Sequence, residues 1–412
     1  MLVAPMCENR PKILYVSETW THGARVRCLS ILEALRQVGT VEVAILTNSV
    51  ANYASTSMLE SREQAAYTFG TTPRPNNTLA QKLKFTLDPS TDYPYGLAVS
   101  REGHEQLARS IEEFDLIWFF KQRSADMFPN ANWPCSVLDI DDVQSTYERT
   151  VLRVGRPADR FKALRAFYVW RRRERLLDGR FDVLTVCTEE DKNYLRRLGV
   201  HCPIHVIPNG FEKPRLEPVH SPALPPRIGF IGGFDHLPNR EGVTWFLKYC
   251  WPEIKRNVPQ TRLRLIGQGG DDFCDVDTPD VDRLGWLPST SDEIKTWAVM
   301  VVPIRVGAGT RVKIAQGFSE KCPIVSTSFG ALGYGAVDGR QMYVADSAKA
   351  FSKACIKAIR EPEEASRMAQ RAWIEFLEKW TWNSIYPRIW DAAQDCLRLN
   401  TCAGLPVLNA CI

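Results

Sequence analysis

The sequence predicts an α/β protein of two domains, each built on a parallel sheet. Three observations carry this prediction. The chain opens as strand, helix, strand: residues 12–16 and 41–46 are apolar runs, and between them Leu29, Leu32 and Leu35 form a helical stripe with Ile31 and Ala34 beside it. Such a start places parallel strands side by side. The same alternation begins again after residue 227, beyond a proline-rich stretch. A chain of 412 residues is also long enough for two domains of ordinary size.

The elements follow in order. The first strand is expected over 12–16 and the first helix over 26–38, closed by Gly39. A second strand follows at 41–46. Residues 51–77 are polar and poorly periodic and read as a loop or mobile insertion. Further strands are expected at 116–120, 137–140, 183–187 and 205–207. Five prolines between Phe211 and Arg227 exclude a helix or a central strand, which makes 213–227 the best linker. Beyond it, strands are expected at 227–231, 262–266, 300–304 and 323–327, and helices at 240–250, 313–319, 348–359 and 363–379. A last helix at 384–399 follows the aromatic break Trp380-Thr381-Trp382. The expected division is a first domain over 1–212, the linker 213–227 and a second domain over 228–383. A C-terminal helical segment over 384–412 is expected to pack back on the first domain. Ligands are expected in a cleft between the two sheets, near the carboxyl ends of the strands.

Composition narrows the function. With 44% hydrophobic and 24% charged residues the chain reads as a soluble globular protein, and a net charge of +4 argues against a dedicated nucleic-acid binder. The twelve cysteines are scattered, without a Cys-x-x-Cys pair or zinc spacing, so no metal site is expected and a reducing cytosol fits them best. No run reaches the roughly 18 apolar residues of a membrane span, and the first twelve residues lack a signal-peptide core. The expected location is therefore cytoplasmic.

The most informative stretch runs from Val301 to Lys313. An apolar strand over 299–304 empties into a glycine turn holding Gly307, Ala308, Gly309 and Thr310, with Arg305, Arg311 and Lys313 around it and a helix beyond. Strand, glycine turn and helix N-terminus is the arrangement that aims backbone N–H groups at phosphate. The basic side chains suit a diphosphate. An ordinary strand-to-helix connection is the plain alternative. Gly232 and Gly233 also follow a strand, and serve either close approach to a phosphate or a tight turn. In Leu284-Gly-Trp-Leu-Pro288, a base can stack near Trp286 while the backbone of Leu287 reads its edge; Trp286 as a core residue is the equal alternative.

Several stretches together resemble glycosyltransferase family 4 (glycosyl transferases group 1). They are Phe181-Asp-Val-Leu-Thr-Val-Cys-Thr-Glu-Glu-Asp191, His205-Val-Ile-Pro-Asn-Gly210, and Ile228-Gly-Phe-Ile-Gly-Gly-Phe234 with Pro238-Asn239. Arg264-Leu-Ile-Gly267, Leu284-Gly-Trp-Leu-Pro288 and the glycine turn running into Pro323-Ile-Val-Ser-Thr327 complete the set. They cover the chain from about Lys12 to Trp382 in the family's order. The resemblance implies a GT-B fold, two Rossmann-like α/β domains facing each other across a cleft. It also implies sugar transfer from a nucleotide-diphosphate sugar to an acceptor hydroxyl with retention of configuration, no cofactor and no metal. Polysaccharide, glycolipid or glycoconjugate assembly is the setting it suggests.

On the same grounds Gly23 corresponds to the glycine facing the donor phosphate, with His22 beside it placed for acceptor or phosphate. Asp141 and Asp142 stand where relatives present a His or Asp to the sugar, although one of them can instead cap the next helix. Two positions depart from the family. Its members often carry a Glu in the glycine turn and another eight residues on, contacting donor sugar and ribose; here these are Ala308 and Gln316. A branch of the family has Gly-x-Gly-Thr in that turn. The departures motivate an alternative, a nucleotide-sugar-binding protein with weak or lost catalysis acting as a partner or regulator. An epimerase or a phosphorylase is a third reading, and no lysine stands in a pyridoxal-binding context. Finally, residues 149–180 hold eleven Lys/Arg against three acidic residues, with Phe167, Tyr168 and Trp170 among them, a candidate surface for an anionic membrane.

Overall fold

A computed structural model describes residues 10–18, 22–47, 66–73, 78–87, 97–128, 133, 135–155, 157–269 and 280–403. The first elements are β1 (Lys12–Glu18), α1 (His22–Val38), β2 (Thr40–Thr47), β3 (Tyr67–Pro73), α2 (Leu79–Leu87), β4 (Leu97–Val99) and α3 (Arg101–Ser110). Next come β5 (Leu116–Phe120), α4 (Gln122–Asp126), β6 (Ser136–Asp139), α5 (Gln144–Val154), α6 (Pro157–Arg175), β7 (Val183–Val186), α7 (Glu189–Arg197) and β8 (Ile204–Val206). The later part holds β9 (Arg227–Ile231), α8 (Leu237–Trp245), α9 (Trp251–Asn257), β10 (Arg262–Ile266), β11 (Val281–Gly285), α10 (Ser291–Ile294) and β12 (Val299–Val302). It ends with α11 (Val312–Ser319), β13 (Ile324–Ser326), β14 (Tyr343–Val344), α12 (Ala348–Arg360), α13 (Pro362–Lys379) and α14 (Trp382–Ala403).

The chain divides into two units. Unit 1 comprises Met1–Val143, Ala166–Ile207 and Tyr386–Ile412; unit 2 comprises Gln144–Arg165 and Pro208–Ile385. The fold is α/β with two parallel-sheet units, as the sequence predicts.

Unit 1 is an eight-stranded sheet in the order β4-β3-β2-β1-β5-β6-β7-β8, parallel except for β4, which runs antiparallel to β3. Its central strands are continuous apolar runs because a parallel strand is buried on both faces. In β1, Ile13, Leu14, Tyr15 and Val16 are fully buried, and so are Leu116, Ile117, Trp118 and Phe119 of β5. Helix α14 joins this unit: Trp390 Nε1 donates to the Ala34 carbonyl of α1 at 3.0 Å, and a disulfide links Cys396 to Cys135. The Cα atoms of that pair lie 5.9 Å apart although 261 residues separate them.

Unit 2 is a six-stranded parallel sheet in the order β11-β10-β9-β12-β13-β14. Trp297 fills the space beside Gly229, where a Cβ would overlap the indole. The proline-rich stretch 213–227 belongs to this unit and is hydrogen-bonded to it. Ser221 and Ala223 N–H groups donate to the Lys295 and Thr296 carbonyls at 3.0 and 2.9 Å, and a ring nitrogen of His220 lies 2.8 Å from the Trp297 carbonyl.

Several expected elements differ. Part of the 51–77 loop is strand β3, paired in parallel with β2. Threonine-rich Tyr67–Pro73 presents only Phe69 as a strong apolar signal, and Phe69 is fully buried. Residues 51–65 and 74–77 lie outside the described ones. The basic stretch 149–180 is two helices, α5 and α6, parted near Gly155, whose position admits no Cβ because the Val151 carbonyl would lie 2.6 Å away. Residues 144–165 also group with unit 2, where the Thr150 hydroxyl accepts from the Gly307 N–H at 2.9 Å. The expected helix 240–250 starts earlier, at Leu237, and passes through a π-turn over Phe246–Cys250.

Candidate functional site

In an open parallel sheet, ligands bind outside the carboxyl ends of the two strands between which the strand order reverses. In unit 2 that reversal falls between β9 and β12. The chain leaves β9 through Gly232 and Gly233, and leaves β12 through Arg305 and the glycine turn into α11. Topology thus brings together the two glycine motifs that the sequence singles out separately.

Lys313, on the first turn of α11, joins the two sides. Its Nζ lies 4.0 Å from the centre of the buried Phe230 ring of β9 and donates to Asn239 Oδ1 at 2.8 Å. Asn239 in turn donates through Nδ2 to the Gly233 carbonyl at 2.8 Å. Gly232 is required by this crowding, since a Cβ there would sit 2.6 Å from Asn239 Nδ2 and 2.9 Å from Lys313 Nζ. A Cβ at Gly233 would meet nothing within 4 Å. Among the described residues none fills the space over Gly233, and a ligand can approach its backbone there. Burial, with the Arg311 guanidinium second, holds the Lys313 ammonium well below the ordinary lysine range. An anion at this point relieves both effects.

The turn itself is held from within unit 2. Gly307, at φ +133°, stands where a Cβ would lie 2.8 Å from an Arg311 nitrogen. Its N–H donates to Thr150 Oγ1 at 2.9 Å, and Thr310 Oγ1 accepts from the Asn209 N–H at 3.1 Å. Arg311 folds back on the turn, donating to the carbonyls of Ala308 and of Gly309 (3.1 Å for the latter), and lies over the Phe329 ring at 5.3 Å. The Tyr334 hydroxyl donates to the Arg311 carbonyl at 2.9 Å. At the start of α11 the first N–H groups have no intrahelical acceptor, which makes that end electropositive.

The remaining expected donor residues fall around this centre with different partners. Arg305 is paired with Glu241 of α8 and stacks over Trp245 at 5.0 Å, so its charge is already answered. Gln316 donates to Thr290 Oγ1 at 2.6 Å. Trp286 follows β11 and is 58% exposed, which removes the reading of it as core. Leu287 packs against the core cluster of unit 2.

In unit 1 the strand order reverses between β1 and β5. Around those carboxyl ends stand Glu18, Lys121, Arg123 and, after β6, Asp141. Asp141 is buried and Asp142 exposed. Asp141 Oδ2 lies 3.4 Å from Lys121 Nζ, and Oδ1 accepts from the Cys187 thiol at 3.3 Å and faces Arg27 Nε at 3.7 Å. Arg27 is fixed by a two-pronged bond to the buried Asp139, at 2.9 and 2.7 Å, and by the Ile207 carbonyl at 2.9 Å. His22 and Gly23 were expected in a turn ahead of the first helix. The structure places both in its first turn, because α1 starts at His22, before the apolar stripe begins; their side chains lie outside what is described. Glu18, Lys121 and Arg123 escaped sequence reading. The signal that finds them is the strand order, which a single sequence does not display. Among the described residues no group of three or more His, Cys, Asp or Glu is arranged to hold a metal ion, and no helix is long and apolar enough to cross a membrane.

Known proteins resemble this chain over part of its sequence and in its fold. Residues 225–361, which carry the switch-point turns of unit 2, match the family described as "Glycosyl transferases group 1". A curated relative, the "Uncharacterized 44.6 kDa protein in cps region" of Klebsiella pneumoniae, is 24% identical over 134 residues, 30% of this chain. The match spans 34% of that relative's own length. Sucrose-phosphate synthase from Thermosynechococcus elongatus superposes with a TM-score of 0.67 at 15% identity, over 95% of this chain and 100% of its own. HepE of Anabaena, solved in complex with UDP-glucose, does so with 0.61 at 13% identity, over 93% and 99%. The fold is GT-B. The stretch that matches the family lies within unit 2.

Proposed function

We propose that the protein transfers a sugar from a nucleotide-diphosphate sugar to an acceptor hydroxyl, with retention of anomeric configuration. The observation that carries this is the meeting of both glycine turns, Lys313 and the α11 N-terminus at the switch point of unit 2. The diphosphate lies against the Gly233 backbone and the first turn of α11, with Lys313 and Arg311 neutralising the charge that grows as it departs. No metal or cofactor takes part in this reading. Ala308 leaves only backbone N–H groups for the sugar, and exposed Trp286 with the Leu287 backbone takes the base. Thr310 acts by holding the turn rather than by touching the donor. In unit 1, Asp141 and Asp142 receive the acceptor, with His22 and Gly23 at the start of α1 beside it. Incubation with labelled uridine, guanosine, adenosine and thymidine diphospho-sugars tests the proposal: diphosphate release from one of them supports it, and neither release nor binding of any sinks it.

Ala308 and Gln316 favour a second reading, a nucleotide-sugar-binding protein with weak or lost catalysis acting as a partner or regulator. The Gln316 amide is engaged by Thr290, and no carboxylate stands at either position. Binding without turnover, with turnover restored by Gln316→Glu, selects this reading.

The acceptor we propose belongs to polysaccharide, glycolipid or glycoconjugate assembly on the cytoplasmic face of an anionic membrane. Leu79, Leu83 and Leu87, spaced four apart on α2, are 85%, 59% and 65% exposed. Arg172 of α6 donates to the Leu87 carbonyl at 2.7 Å, bringing exposed Tyr168, Arg172 and Arg175 beside that stripe. An apolar stripe flanked by arginines suits an anionic lipid surface. Co-sedimentation with phosphatidylglycerol vesicles but not with phosphatidylcholine vesicles is expected; equal recovery with both contradicts it.

A further inference from the structure

At the carboxyl edge of the unit 1 sheet, two residues other than glycine hold left-handed backbone beside each other. Lys121, directly after β5, has φ +66°, and Asp141, two residues after β6, has φ +59°. The Cβ makes this conformation unfavourable, so it persists where surrounding structure enforces it, and such residues gather at functional sites. Glycine adopts both conformations without strain. A lysine and an aspartate therefore occupy these positions for what their side chains do, and the side chains meet: Lys121 Nζ lies 3.4 Å from Asp141 Oδ2.

Three further features define the place. β5 flanks the strand reversal of unit 1, and the other flank ends in Glu18, whose carboxylate lies 3.4 Å from Arg123 Nε. The Lys121 side chain is 40% exposed and that of Asp141 12%, so the ammonium reaches out of the fold while the carboxylate is fixed beneath it. On its inner side Asp141 is braced by the Cys187 thiol and Arg27. Burial disfavours the Lys121 charge, but Asp141 and Asp142 outweigh it and keep the group protonated above the ordinary lysine value.

We propose that Lys121 is a positioning residue for the acceptor: its ammonium orients the Asp141 carboxylate so that Oδ2 takes the hydrogen bond of the incoming hydroxyl at the unit 1 switch point. The inference rests on the glycosyl-transfer reading and adds to it a residue outside the expected set. The backbone strain supplies a readout that a purely stabilising ion pair does not share. Lys121→Gly removes the left-handed cost together with the side chain, whereas Lys121→Met removes only the charge and Lys121→Arg keeps it.

The test uses the full chain with UDP-glucose, ADP-glucose, dTDP-glucose and GDP-mannose, water serving as acceptor, and follows diphosphate release and the thermal midpoint. Lys121→Gly is expected to melt at or above the wild-type midpoint while kcat for hydrolysis falls about tenfold or more, with donor KM within about twofold. Lys121→Arg is expected to recover activity over Lys121→Met. A Lys121→Gly kcat within about twofold of wild type overturns the inference. So does a parallel loss of stability and kcat in which Arg serves no better than Met. A wild-type protein that neither binds any of the four donors nor releases diphosphate from them is a different result: it overturns the glycosyl-transfer reading, and the inference falls with it; binding without release selects the binding-protein reading, and the inference falls there too.

Discussion

Replacing Lys313 by Met separates the chemistry of the donor seat from the stability of the fold. Methionine keeps an unbranched stem to cover the Phe230 ring but carries no charge and cannot donate to Asn239 Oδ1. A hydrogen bond to a charged group contributes about 1.5–3 kcal/mol. Loss of the Lys313 contact to a diphosphate therefore weakens donor binding roughly 10- to 150-fold. With donor at about 100 times the wild-type Kd, binding stabilises the wild type by about 2.7 kcal/mol; a variant with 100-fold weaker affinity gains only about 0.4 kcal/mol.

Without donor the effect runs the other way. Burial, followed by Arg311, depresses the Lys313 pKa, so the folded protein resists a proton that the unfolded chain accepts up to the ordinary value of 10.5. In that window the unfolded state binds more protons, and wild-type stability rises with pH because of this residue. The variant lacks that rise and is at least as stable as the wild type near neutral pH. Donor affinity has the opposite slope: the diphosphate binds the protonated amine, so affinity falls as pH climbs through the depressed pKa. Calorimetric titration and thermal shift at several pH values check both signs. A Lys313→Met protein that binds donor within about twofold of wild type refutes the assignment of this amine to the diphosphate.

Three other outcomes follow from the same geometry. Gly233→Ala places a methyl group in open space, so stability is expected to change by no more than about 0.5 kcal/mol while donor affinity drops about tenfold, measured by thermal shift and titration. Arg305→Ala breaks a pair with Glu241 rather than a ligand contact, so the donor Kd is expected to move less than about threefold in the same titration. Arg27→Met leaves the Asp139 carboxylate buried without its two-pronged partner, and urea unfolding is expected to show a loss of about 3–5 kcal/mol.

The alternation of apolar runs made both sheets legible, because parallel strands buried on two faces leave little freedom of composition. The turns after β9 and β12 were legible for a related reason: glycine stands where a side chain would collide, as at Gly232 and Gly307. Strand β3 was hidden by its threonines, which read as loop until Phe69 is seen in the core. The sequence left Trp286 open between base platform and core, since an indole fits either and only its exposure decides. Arg305 reads in the sequence as a phosphate ligand; its ion-pair partner Glu241, 64 residues away, is visible only in the fold. Lys121 gave no signal at all. The role inferred for it rests on a left-handed backbone and on strand order, neither of which a lysine announces.

The central claim is that the donor sits on the two glycine turns of unit 2. Amide hydrogen exchange of the full chain, with and without the diphospho-sugar that binds, tests this most directly. Exchange is predicted to slow in peptides covering 231–240 and 305–316. Saturable binding that leaves both stretches unprotected, or protects only other segments, contradicts it.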